Sequence, residues 1–459
     1  MIAFPFLGPS NPRGALAHSC QRTVNLYPEV DPSNKSEFIL METPGYKKWT
    51  DLGNGPVRKI IEFRDHLIVV SHRSVWKVNY GGHPTFIGTL NTTTGRVGMA
   101  ENGTQVIIVD GLDGWIYDNV KLTQISDSTF TDTKADSVVC NDGYFIINEP
   151  GTGRFWVSGS YDGTAWSALD TATAEFRTDN ILAVGADRHV IFLGDKSAEW
   201  WYNDGSTNPP YAPLKNNRMT QGIAAPLTFV TSNNTSTWVS QNENGGVRVI
   251  RASGSSPQYI STPAWEREWS SYDVKDAYAF AITWHGHDWY VLTFPVADHG
   301  WGRTFLYDAL GGWFEWGDYR EEEGEYQKHP MTANYYFDFK HVIGDADGDL
   351  HLMEEGIYTN NGTTIISERI CSPIHENRRR HSYNLLEVDT EKADGGTLRM
   401  NHSDDGGRSW KKWRTTSMGS VGDTRARVRF YKLGSAYDRA YRVRISDAVP
   451  RRFLGAYLG

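Results

Sequence analysis

Three short stretches carry the residue types that site chemistry needs. Asp345-Ala346-Asp347-Gly348-Asp349, with Glu354 beyond, gathers carboxylates of the kind a hard cation takes as ligands. An EF-hand loop places its glycine after the third acid and lies between helices, whereas Gly348 sits between the second and third acids in a strand-turn-strand setting, so a plain hairpin turn is expected. His285-Gly286-His287-Asp288 offers two imidazoles, yet it falls at an expected hairpin tip between Trp284 and Trp289 and no third ligand is identifiable. Ser403-Asp404-Asp405-Gly406-Gly407-Arg408-Ser409-Trp410 follows the pattern S-x-D-x-G-x-S/T-W, with a looser echo at Ser160-Tyr161-Asp162-Gly163-Thr164-Ala165-Trp166. In that pattern Asp and Gly build a hairpin turn and Trp packs beneath it, which is a structural role. HExxH, GxSxG, the P-loop pattern and GxGxxG do not occur. The 55 acidic residues single out no glycosidase-type carboxylate pair. No catalytic, cofactor-binding or metal residue is therefore nominated. The Asn-x-Ser/Thr triplets at Asn91, Asn102, Asn234 and Asn361 carry meaning only on a secretory route.

These stretches sit within a repeat. From Val57 to about Ile366 the chain alternates a short apolar strand, a turn rich in Gly, Asn or Asp, a second strand, and a third rich in aromatics. The copies begin with Ile60-Ile61-Glu62-Phe63, Gly98-Met99-Ala100, Val138-Val139-Cys140 and Ile181-Leu182-Ala183-Val184, and weaker ones follow at Leu227 to Tyr259, Ala277 to Trp316 and Tyr335 to Tyr358. First hairpin turns at Asp65, Asn102, Asp142, Asp187, Asn233, Gly286 and Asp347 are 37, 40, 45, 46, 53 and 61 residues apart. Such spacing with several short strands per copy predicts a β-propeller of six or seven blades. Aromatics at strand ends, such as Trp76, Trp115, Trp156 and Trp200-Trp201, then fill the seams between blades.

Beyond residue 367 the pattern becomes strict alternation, as in Arg425-Ala426-Arg427-Val428-Arg429-Phe430. Leu385 to Asp389, Gly396 to His402, Trp410 to Arg414, Arg425 to Leu433 and Ala440 to Ser446 read as half-buried strands. The expected organisation is all-β: residues 1–55 packing on a platform, 56–367 a propeller, and 368–459 a β-sandwich-like platform domain. That division predicts that removing 368–459 leaves a folded propeller. The 59 aromatics and the 64 Gly and Pro residues favour strands and turns, and no apolar run reaches the length of a spanning helix. The start lacks a secretory pattern and reads as a mature cytosolic one. Cys20, Cys140 and Cys371 form neither a disulfide framework nor a zinc pattern, so reduced structural thiols are expected.

Charge divides along the same boundary. Residues 368–459 hold 19 Lys and Arg against 11 Asp and Glu, while residues 1–367 hold 27 against 44. The basic material is Arg378-Arg379-Arg380-His381, then Arg425, Arg427 and Arg429 along one strand, and Arg451-Arg452. It reads either as a solvated face or as a surface complementary to an acidic partner, and Arg378, Arg379, Arg380, Arg425, Arg427 and Arg429 are the docking candidates.

Three regions resemble the packaged-DNA stabilisation proteins of short-tailed phages, which form tail nozzles or hubs. They are Cys20-Gln21-Arg22-Thr23-Val24-Asn25-Leu26-Tyr27-Pro28-Glu29 followed by Thr43-Pro44-Gly45-Tyr46, then Ile343-Gly344-Asp345 through Glu355-Gly356-Ile357-Tyr358-Thr359-Asn360-Asn361-Gly362, and finally the tail. In the tail the similarity lies in Ser403 to Gly407, Arg429-Phe430-Tyr431-Lys432-Leu433-Gly434 and Arg442-Val443-Arg444-Ile445-Ser446-Asp447. The resemblance implies a virion protein made in the host cytoplasm, with six copies forming a ring below the portal and adaptor. It further implies that the ring extends the DNA channel, helps retain the genome, lets double-stranded DNA pass without sequence preference, and docks fibres, spikes or a plug. It implies no catalytic residue, no cofactor and no membrane insertion. The chain lacks large inserted domains, which argues against a long nozzle with receptor-binding extensions of its own. Under this reading an acidic propeller region would repel phosphates and let DNA slide, while the basic platform docks on an acidic adaptor. Two alternatives remain: a sialidase-like glycoside hydrolase, marked by arginines, a tyrosine and an acid in the central pocket, and a carbohydrate-binding propeller.

Overall fold

The computed structural model describes residues 2–12, 21–30, 38–53, 55–241, 246–297, 300–375, 379–419 and 426–459. Cys20, Arg378 and Arg425 lie outside these residues. Among the described residues seven four-stranded antiparallel blades close around one axis. Blade 1 comprises Val57–Phe63, His66–Ser71, Ser74–Val78 and Pro84–Thr89, and blades 2 to 5 start at Gly98–Glu101, Val138–Asn141, Ile181–Ala186 and Val230–Ser232. Blade 6 comprises Tyr278–Trp284, His287–Phe294, Arg303–Asp308 and Gly312–Glu315. The second strands His66–Ser71, Val106–Val109 and Val190–Gly194 are buried at every position, because neighbouring blades cover both of their faces. That double cover is why they read as unbroken apolar runs rather than alternation.

Each seam has its own core. Trp115 fills the seam between blades 1 and 2 with Phe63 and Ile68. Trp200 and Trp201 are adjacent yet serve different seams, as opposite faces of a strand require: Trp200 packs with Trp238 and Ile250, and Trp201 with Phe155 and Phe192. Trp115, Trp200 and Trp201 are thus accounted for by seam packing.

The ring is fastened by the N-terminal segment. Blade 7 takes Ala333–Phe337, Lys340–Gly344 and Asp349–Glu354 from the end of the repeat, and its outermost strand is Gly45–Asp51, with Gly45 opposite Glu354 and Asp51 opposite Asp349. A side chain at position 45 would collide with the carbonyls of Ile357 and Thr359, so the Pro44-Gly45-Tyr46 sequence is fixed by this closure. The segment expected to pack wholly on the platform therefore divides between propeller and platform. In blade 7 the first hairpin tip is Asp338-Phe339, both at positive φ (47° and 59°), and Asp347 lies in the following turn. The stronger turn chemistry of Asp345 to Asp349 had drawn the expected tip one hairpin too far. The corrected tip lies 52 residues after Gly286, in line with the preceding spacing of 53.

The platform is a two-sheet sandwich. One sheet runs Leu26–Val30, Phe38–Glu42, Phe453–Leu458, Leu385–Thr390 and Ala426–Tyr431, with Ile2–Ala3 beside Phe453–Leu458. The other continues directly from blade 6: Gly312–Glu315 adjoins Arg22–Val24, which pairs with Ser367–Ile370, then Asp438–Ile445, Thr397–Ser403 and Arg414–Ser417. A single core follows, joining Trp289, Leu306, Phe314 and Met353 of the blades to Leu386, Val388, Leu398 and Tyr441 of the sandwich. Propeller and sandwich thus share one core across the boundary near residue 367. The strand expected over Trp410 to Arg414 begins only at Arg414. Trp410 and Trp413 instead stack on Arg442, whose guanidinium carbon lies 4.5 and 4.6 Å from their rings.

Candidate assembly surfaces and the axial cavity

The three stretches with chemical residue types all fold as turns. Asp345 Oδ1 accepts the backbone N–H groups of Asp347, Gly348 and Asp349 at 3.0, 3.0 and 2.9 Å, and its Oδ2 lies 2.7 Å from His351. Asp345, Asp349 and His351 could together approach a cation, but Lys48 already neutralises Asp349 at 2.8 Å, and Lys47 and Lys340 take Glu354. In the tail motif Asp405 receives the N–H groups of Arg408 and Ser409 and the Ser403 and Ser409 hydroxyls, bonds that hold its carboxyl well below the usual range. Trp166 in the echo packs on Phe130 and donates Nε1–H to Gly163 O at 2.8 Å.

His285 and Gly286 form a hairpin tip, whereas His287 is buried between two carboxylates. Its Nδ1 lies 2.8 Å from Asp308 and its Nε2 lies 3.2 Å from Glu29 of the platform, so this histidine bridges blade 6 to the sandwich. The Asp308 hydrogen bond raises its pKa, burial opposes that, and Glu29 adds to the rise. His329, buried between Trp316 and Tyr46, is pushed the other way, down to about 3, by burial and by His351. The signs give a two-sided prediction. The contribution of His287 is complete below the unfolded pKa of about 6.5 and is lost as pH rises through its folded value. That of His329 is complete above about 6.5 and is lost as pH falls toward 3, because only the unfolded chain then takes up the proton. Thermal midpoints measured across pH should therefore fall less steeply on the alkaline side in His287→Gln, and less steeply on the acid side in His329→Gln, than in the parent chain. Superimposable profiles would refute the assignment.

The basic residues separate into two groups. Arg379, Arg380 and Arg427 are exposed, and Arg427 stands on Ala426–Tyr431, the edge strand of its sheet. On that strand Val428 and Phe430 are buried, as the alternation predicts. Arg429 is exposed but bonded to Glu387 at 2.6 Å. Arg451 and Arg452 are structural: Arg451 is buried and donates to Ser367 Oγ, Tyr358 O and Thr43 O, and Arg452 pairs with Glu42 and Glu391.

Sequence reasoning missed the joint itself. Arg22 grips Glu315 through Nε and Nη2 at 2.9 and 2.7 Å, Arg303 stands 3.8 Å from the same carboxylate, and Arg444 pairs with Glu368 while stacking on Tyr319 and Trp413. Burial alone would raise the pKa of Glu315, but the Arg22 guanidinium and its hydrogen bonds, with Arg303, bring it below the usual value. The spacing of Arg442 and Arg444 along one strand was the available signal.

At the propeller axis the innermost strands line an open-mouthed cavity of about 320 Å³ whose wall includes Arg58, Lys59, Arg96, Asp136 and Tyr278. Arginines, a tyrosine and an acid do meet there, which is what the hydrolase reading asked for. Their bonding does not suit it. Arg58 is spent on the carbonyls of His72, Thr92, Thr94 and Gly95, and Tyr278 donates its hydroxyl to Met331 O at 2.9 Å. Asp136 accepts from Asn148, and no second carboxylate is in the wall to complete an acid–base pair.

No curated protein matches the chain. Among solved structures, the Neurospora crassa Pan2 WD40 domain is 9% identical over 68% of this chain and 96% of its own, with a TM-score of 0.42. An exo-β-1,3-galactanase from Phanerochaete chrysosporium is 10% identical over 80% of this chain and 97% of its own, with a TM-score of 0.31. At these scores neither carries any functional argument. The family comparison is of another order: residues 16–356 match the β-propeller of bacteriophage P22 Gp10, and residues 369–458 match its β-sandwich. The chain, a propeller locked by its own N-terminal strand and fused to a sandwich, belongs to the bacteriophage P22 Gp10 family of packaged-DNA stabilisation proteins, structural components of the virion.

Proposed function

We propose that six copies of this chain form the nozzle ring of a short-tailed phage, below the portal and adaptor, extending the DNA path, helping to retain the genome and offering docking surfaces for fibres, spikes or a plug. The observation that carries this reading is the match of both propeller and sandwich to one virion family. The axial cavity of each propeller, at about 320 Å³, is far too small for a duplex and has a cationic wall, so DNA would run between subunits past outer surfaces. An acidic lining would then come from exposed acids such as Glu321, Glu322 and Glu323 on the Gly317–Lys328 hairpin. Repulsion of phosphates by that lining lets the DNA slide past it, since lysine and arginine contacts would hold DNA by counterion release.

The basic platform is the candidate surface for an acidic adaptor. Arg379, Arg380 and Arg427 test it best, because reversing Arg429 would also set two carboxylates together at Glu387. The triple variant Arg379→Glu, Arg380→Glu, Arg427→Glu should keep its thermal midpoint within about 2 °C, as exposed substitutions do, yet fall at least tenfold in incorporation into particles. Normal incorporation would remove the docking role from these residues. A cryo-electron reconstruction of the particle tests the whole reading: a six-fold ring around the DNA path is expected, and any other location overturns it.

A further inference from the structure

The wall of the axial cavity has an unbalanced charge. Its neutral polar side chains are used between neighbouring strands: Thr332 Oγ1 donates to Val57 O at 2.8 Å, Asn334 Nδ2 donates to Ala281 O at 3.1 Å, and Ser137 Oγ accepts the Val184 N–H at 2.9 Å. What remains is cationic. Lys59 makes no hydrogen bond or ion pair among the described residues. Arg96 engages only Nη1, with Leu182 O at 3.0 Å and Asp136 at 3.6 Å. With Arg58, three positive charges face one negative charge, Asp136, across a cavity that is open to solvent at its mouth. This inverts the balance of residues 1–367, where acids exceed bases.

Like charges held together between low-dielectric walls raise each other's free energy, and a bound anion relieves that cost. Lys59 is exposed to solvent within the cavity, yet the strands crowded around it and the nearby Arg96 draw its pKa down. We propose that the axial cavity is an anion site, taking a phosphate-type dianion between Lys59 and Arg96. A net charge of plus two from these four residues matches a dianion. The ammonium supplies a compact charge and the remaining Arg96 N–H groups a planar fork, the combination that recognises tetrahedral oxyanions. The cavity exceeds one such ion, leaving room for bridging water or for the organic part of a phosphate ester.

Calorimetric titration of the full chain with inorganic phosphate and with glycerol phosphate, against chloride at matched ionic strength, tests the site. Saturable one-to-one binding is expected, weakened roughly tenfold or more in each of Lys59→Met and Arg96→Met, since a charge-assisted hydrogen bond is lost. Equal binding of both probes assigns the site to phosphate monoesters as well as the free ion, and selectivity for inorganic phosphate assigns it to the free ion. Phosphate also stabilises proteins generally by exclusion from their surface, so melting curves in chloride serve only to confirm that the variants fold. Lys59→Met should melt no lower than the parent chain there. Absence of saturable heat in the parent chain up to ~10 mM, or unchanged affinity in both variants, would overturn the proposal.

Discussion

A chain ending at Ser367 should not yield a stable propeller. Removing residues 368–459 strips the four strands beyond Arg22–Val24 from one sheet, all but Ser367 of the first included, and opens the core in which Phe6, Leu26, Tyr27 and Leu40 lie at 0 to 2% exposure. Baring a large apolar side chain costs about 1.5–3 kcal/mol. These four alone amount to roughly 6–12 kcal/mol, which is comparable with the whole stability of an ordinary domain. The truncated chain is expected to aggregate or to be cut throughout by limited proteolysis under conditions where the full chain resists. A soluble 1–367 fragment that unfolds cooperatively within a few degrees of the full chain would show that the propeller seams suffice. The outcome bears on assembly, because a shared core forces the two parts of each subunit to act as one rigid body.

The propeller was legible from sequence because its signals are local. Each copy announces itself through turn residues such as Asp142-Gly143 and through second strands such as Val106–Val109, apolar at every position because both faces are covered. The closure was not legible, since Gly45–Asp51 pairs with Asp349–Glu354 some three hundred residues away and period-two reading says nothing about partners. Phe453–Leu458, central in its sheet between Phe38–Glu42 and Leu385–Thr390, escaped for the same reason. Trp410 to Trp413 failed differently. Its aromatics looked like strand residues, but the arginines of Asp438–Ile445 offered their faces a better contact. Charge was the hardest to read. Arg427 and Arg451 are indistinguishable in the sequence, yet one is exposed on an edge strand and the other is buried at 0% exposure among carbonyls and hydroxyls. Whether an arginine is a docking residue or a fastening depends on which strands the fold lays beside it.

Arg369 is the fastening with the largest expected consequence for a single residue. It is fully buried, and its guanidinium donates to Phe6 O at 2.6 Å, Gly8 O at 2.9 Å, Pro9 O at 3.2 Å, Thr23 Oγ1 at 2.7 Å and Gln21 Oε1 at 3.0 Å. The N-terminal segment is thereby folded around one side chain of the sandwich, next to the strand that connects both domains. Hydrogen bonds from a charged donor contribute about 1.5–3 kcal/mol each, and acceptors left buried without a partner cost a similar amount. Arg369→Met should accordingly lower stability by at least about 4 kcal/mol in urea unfolding of the full chain, after allowing for non-additivity. Arg369→Lys discriminates the cause. If charge alone were needed, lysine would suffice. If the planar fork is needed to reach oxygens on five residues at once, lysine, with three donors on a single atom, should recover less than half of the loss. A lysine variant as stable as the parent chain would reduce Arg369 to a buried charge and return the ordering of the N-terminal segment to apolar packing by Phe6 alone.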